Sequence, residues 1–83
     1  MFAPLPVWEL EAAAAAAELR SAADLLEDHA ARRLRMAQRW LPAWTGRHRD
    51  AFDAEVRQAT ATTRELAAAL RAAAARIDTN LRQ

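Results

Sequence analysis

Between Val7 and Gln83 the chain has one proline, Pro42, and one glycine, Gly46, and both fall near its midpoint. No other residue in that span is a strong helix breaker. From Val7 to Trp40 the residues are mostly good helix formers, and so are those after Gly46. The residue before a proline is pushed out of the α region, so Pro42 stops the first helix. A lone glycine just beyond it marks a turn. The spacing therefore predicts an all-α chain of one domain, residues 1–83. Helix 1 covers about 7–40, a turn 41–46, and helix 2 about 47–81. Pro4 and Pro6 mark a non-helical start, and Glu9 and Glu11 then favour the positive end of a helix dipole.

The apolar spacing says how two such helices meet. In helix 1, Trp8, Ala12, Ala15, Leu19, Ala22, Leu26, Ala30, Ala37 and Trp40 recur in steps of three and four, with Arg33 filling one place. In helix 2 the same steps link Phe52, Val56, Ala59, Thr63, Leu66, Leu70, Ala73, Ile77 and Leu81. Each is a near-heptad seam suited to helix-on-helix packing. Thr60, Thr62 and Thr63 form the stretch of lowest helix propensity.

Charge selects the antiparallel arrangement. Residues 1–28 sum to −5 and 29–49 to +6, while 50–65 sum to −2 and 66–83 to +2. Reversal near residue 44 sets the acidic start of helix 1 beside the basic end of helix 2. It also sets the Arg-rich end of helix 1 beside Asp50, Asp53 and Glu55. A parallel pair would juxtapose like charges. The expected neighbours are Phe52 with Ala37, Leu66 with Ala23, Leu70 with Leu19, and Leu81 with Trp8, with small Ala opposite large Leu.

The chain has 24 Ala among its 83 residues. Ordering a residue costs roughly 1–2 kcal/mol of backbone entropy, and Ala buries little area against that cost. Leu10, Leu25, Leu34 and Met36 also lie off the seam, where two helices cannot cover them all. A second hairpin could, giving a four-helix bundle. The expected partner surface thus includes these residues with the seam residues Trp8, Leu19, Leu26, Trp40, Val56, Leu66, Leu70, Ile77 and Leu81.

Chemistry-bearing patterns are sparse. His48-Arg49-Asp50 matches a kinase catalytic-loop triplet, but 83 residues without a Gly-rich loop or a sheet cannot build that fold. His29 and His48 lack the spacing of paired helical ligands, and there is no cysteine. No catalytic, cofactor or metal site is expected, and a two-helix hairpin offers no cleft for one. Arg32, Arg33, Arg35, Arg39, Arg47 and Arg49 are a candidate anion contact at the hairpin tip. The net charge of only +1 argues against strong phosphate binding, and pairing with nearby acids is the favoured reading. No run reaches the roughly 18 apolar residues of a membrane span, and the start lacks the basic leader of a signal peptide. All twelve basic residues are Arg, which with abundant Ala suggests a GC-rich bacterial genome.

Trp44-Thr45-Gly46 at mid-chain, Phe52 eight residues after the Trp, and Ala/Leu seams on both sides give a more specific pattern. On these features the sequence resembles the WXG100 family, the small helical hairpins handled by type VII secretion systems. The resemblance covers nearly the whole chain. It implies pairing into a homo- or heterodimeric four-helix bundle. It also implies export from an actinobacterium or a relative by a route without a cleaved signal peptide, to the medium or the cell surface. Members exported in their own right often carry a Tyr-x-x-x-Asp/Glu signal just past helix 2. This chain has no Tyr, and Ile77 and Leu81 hold those places. Three readings stay open: a partner supplies the export signal, the chain is an intracellular or truncated relative, or it is an excised domain. Two functions compete with secretion: a cytoplasmic nucleic-acid-binding or regulatory hairpin using the Arg cluster, and a chaperone-bound adaptor domain of a toxin system.

Overall fold

A computed structural model describes residues 6–43 and 45–83. Two helices make up nearly all of it: α1, Val7–Trp40, and α2, Arg47–Arg82. They lie against each other in a rod of 69 × 17 × 13 Å. The expected all-α antiparallel hairpin and its boundaries are what forms, α2 running to Arg82. The Pro6 carbonyl accepts the first bonds of α1, from the amides of Glu9 at 3.0 Å and Leu10 at 3.3 Å. At the other end, a short 3-10 turn, Leu41–Ala43, follows directly. Pro42 has no N–H to donate, so the α-helical bonding cannot run through it.

The line of closest approach is made of small residues at intervals of seven. In α1 it is Ala16, Ala23, Ala30 and Ala37; in α2 it is Thr60, Ala67 and Ala74. All are buried, whereas no large side chain among the described residues is fully buried. Leu19, Leu26, Leu70, Ile77 and Leu81 flank this line, half-buried. The expected seam is therefore rotated. In α2 the inner stripe falls one residue later than Ala59, Leu66 and Ala73, and Leu66 is left 51% exposed. In α1, Ala15, Trp8 and Trp40 turn outward. Methyl-sized side chains let two helix backbones come close, and a Leu or Trp on that line would hold them apart. Small thus meets small, with the larger aliphatics on the flanks rather than opposite Ala.

Cross-helix hydrogen bonds fix the register: Arg20 to Asp78, Arg71 to Glu27 and Asp24, and Arg33 to Thr63. Continued in antiparallel steps, they put Ala23 level with Ala74, Ala30 with Ala67 and Ala37 with Thr60. Phe52 packs against the cluster of Ala37, Leu41 and Val56, close to its expected place. The other expected pairs shift by about two turns: Leu70 is level with Leu26 rather than Leu19, and Leu81 with Ala16 rather than Trp8. The connection is the cause. α1 runs on through the 3-10 turn before the chain reverses, so α2 starts beyond its end. The other end is staggered to match, and residues 7–13 of α1 project past the end of α2. A 36-residue helix is about 54 Å long, and this overhang supplies most of the remaining length of the 69 Å rod.

Overpacking a close helix contact costs about 1–3 kcal/mol. Ala30→Leu should destabilise the chain by that amount in urea unfolding followed by circular dichroism. Leu66→Ala, on the exposed flank, should change the stability of the isolated hairpin by less than about 0.5 kcal/mol. The hydroxyl of Thr60 is buried and lacks a hydrogen-bond partner among the described residues. Thr60→Ala should accordingly raise stability, by about 1 kcal/mol.

Candidate partner-binding face

The hairpin has two unlike sides. On one, the positions flanking the inner stripe carry charge. Arg71 reaches across to Asp24 and Glu27, at 2.7 Å to each, and Arg20 bonds to Asp78. The hydrogen bonds that Arg71 donates to Asp24 and Glu27 hold its pKa above the ordinary value. Near the tip this side has a small hollow of about 290 Å3, bordered by Gln38, Arg49, Asp53 and Arg57. Leu34, expected to be uncovered, turns to this side and packs on the tip cluster.

The other side is apolar and open. In α1 its outer stripe is Trp8, Ala15, Ala22, His29 and Met36, again at intervals of seven; in α2 it is Phe52, Ala59, Leu66 and Ala73. No cross-helix ion pair spans it among the described residues. Towards the tip it opens into a groove of about 480 Å3, walled by Met36, Trp40, Phe52 and Val56 over Ala37. His29, Arg32 and Arg33 form its rim. Trp40 and Met36 are about 60% exposed, as is Trp8 on the overhang. Leu10 and Leu25 are exposed as well, at other angles on α1.

The Arg cluster does not pair as expected. Asp53 bonds to Arg57, four residues on in its own helix. Among the described residues, none of Arg32, Arg33, Arg35, Arg39, Arg47 and Arg49 makes an ion pair. Asp53 borders the hollow beside Gln38 on the ion-paired side, whereas Arg32 and Arg33 rim the groove on the other side. His48, Arg49 and Asp50 are exposed in the first turn of α2.

Of the Trp44-Thr45-Gly46 turn, Trp44 lies outside the described residues. Gly46 has φ +83° and ψ −155°, a combination almost confined to glycine. Its carbonyl accepts the first α2 bond, from the Asp50 amide at 3.2 Å. Among the described residues, no group of His, Asp and Glu could hold a metal ion, and no helix is long and apolar enough to cross a membrane. The chain matches no protein-family model, no curated protein and no solved structure.

A Cβ on Gly46 would touch nothing within 4 Å, so the cost of adding one lies in the backbone alone. Gly46→Ala should destabilise the hairpin by about 1–3 kcal/mol, read as a lower unfolding midpoint with unchanged helix content at low temperature.

Proposed function

We propose that this protein is a non-catalytic, WXG100-like interaction subunit that pairs through its open side with another helical hairpin. In this reading it travels as a type VII secretion substrate or as the co-secreted partner of one. The observation that carries the proposal is the division of the hairpin into an ion-paired side and an apolar side. Trp8, Met36, Trp40 and Leu66 stand exposed along the apolar side. Large residues left in water at both ends of one apolar side are the mark of a surface made to be covered. The mid-chain Trp-x-Gly turn and the lack of Tyr near Ile77 and Leu81 agree with a member that borrows its export signal.

The Arg residues at the tip favour one other reading, a cytoplasmic hairpin that contacts nucleic acid. Their lack of ion pairs among the described residues is the observation behind it. That reading requires binding to duplex DNA that weakens steeply with salt.

Light scattering across a concentration series, with circular dichroism alongside, tests the pairing. The expected result is a helical species of twice the chain mass, or a poorly helical chain whose partner is missing. A well-folded monomer in dilute solution would sink the proposal. Met36→Glu, in the groove wall, should weaken pairing more than tenfold by the same measurement. Secretion is tested by comparing the culture medium of a host with an intact type VII apparatus against one lacking it. The protein should reach the medium only in the first.

A further inference from the structure

We infer that the tip groove is a binding site for a free long-chain aliphatic carboxylate, its head on Arg32 and Arg33 and its tail along Met36, Trp40 and Phe52. The site goes beyond the pairing reading and does not rest on it.

The groove is polarised along its length. On α1 its lining runs from His29 to Trp40, about 16 Å along the helix axis. The end away from the turn carries His29, Arg32 and Arg33. From Met36 onward the walls are apolar, with Phe52 and Val56 supplied by α2. Among the described residues no acid lines it. Small-ligand sites combine apolar walls with a few polar groups that fix orientation. One cationic end and a long apolar remainder complement a molecule built the same way.

The charge at the head of the groove has no answer within the chain. Arg20 and Arg71 also reach across between the helices, and each meets a carboxylate there. Arg33 reaches across to a neutral hydroxyl instead, donating to Thr63 at 3.4 Å. Thr63 is itself anchored, donating to the Ala59 carbonyl at 2.9 Å. That contact steadies the half-buried Arg33 and engages one of the five N–H donors of its guanidinium. The remaining donors form a fork suited to a carboxylate, and such charge-assisted pairs are the strong ones. Arg32, exposed beside it, adds a second positive charge.

The rest of the groove calls for a tail. Its volume of about 480 Å3 lies within the range of small-ligand sites, about 300–1,000 Å3. Its floor is Ala37, on the line of closest approach, where a small side chain cannot fill the space above it. Phe52 packs on Ala37, Leu41 and Val56, which fixes the wall at the tip end. Met36 is flexible and polarisable, so it can mould itself to an alkyl chain. A short acid would leave Met36 and Trp40 in water. An uncharged alkyl chain would cover the head of the groove without meeting its charge.

Calorimetric titration of the full native chain with decanoate, kept below the concentration at which it forms micelles, tests the site. Saturable binding of one decanoate per chain is expected. Decanol has the tail without the charge, and acetate the charge without the tail. Each should bind at least tenfold more weakly. Arg32→Gln with Arg33→Gln should weaken decanoate at least tenfold and leave decanol unchanged. Arg76→Gln with Arg82→Gln removes the same charge near the other end of α2 and should bind decanoate as the native chain does. Trp40→Ala should weaken decanoate and decanol alike, with helix content checked by circular dichroism. Decanol binding as tightly as decanoate to the native chain overturns the inference, and that comparison needs no variant. Decanoate affinity that survives the loss of Arg32 and Arg33, or that falls as far without Arg76 and Arg82, overturns it too. So does uptake without saturation. Binding to vesicles of anionic phospholipid with none to free decanoate also overturns it, and would assign the groove to a membrane surface.

Discussion

The rest of the structure depends on the close approach of two helix backbones along a line of alanine. Ala23, Ala30 and Ala37 on α1 meet Ala74, Ala67 and Thr60 on α2, each level with its counterpart. A methyl group fills little volume, so this contact is tight only if the helices nearly touch. Tightness in turn selects one rotation of each helix about its axis. A turn of one residue would bring Leu66 into the line and force the backbones apart. The alanines therefore stabilise less by the area they bury than by the geometry they permit.

Once that rotation is set, the flanks follow. One flank of α1 presents Arg20 and Glu27, and the facing flank of α2 presents Asp78 and Arg71. Their bonds lie at the surface, where ion pairs add little to stability. They do fix the register, because a slip of one turn would unmatch them. The other flank brings Trp8, His29 and Met36 to the same side as Phe52 and Leu66. One choice of rotation thus makes both the stapled side and the open one.

The sequence stated the helices plainly and their contact poorly. Pro42 and Gly46 act locally, by a missing N–H and by a positive φ, so the boundaries at Trp40 and Arg47 could be read directly. The seam could not, because in Ala12 to Ala17 every position is apolar and periodicity offers no preference among them. Counting Ala and Leu as equals then let the larger residue define the stripe. Size, not polarity, was the signal: Ala recurs every seven residues from Ala16 to Ala37 without a single large substitute. The register failed for a different reason. A reversal drawn at residue 44 takes the turn as a point, whereas the 3-10 turn Leu41–Ala43 carries the chain on before it reverses, and the far pairs shift by about two helical turns. The open face was legible in outline, through Met36, Trp8 and Trp40, although Leu34 went to the other side.

The alanine line also has a cost that points outward. Fully burying a Leu, Met or aromatic side chain contributes about 1.5–3 kcal/mol. The close contact excludes those residues from its centre, and no large side chain among the described residues is fully buried. The chain therefore holds its greatest capacity for burial on its outside, at Trp8, Leu25, Met36, Trp40 and Leu66. A fold that lets its backbones touch must leave its bulk for another surface to cover.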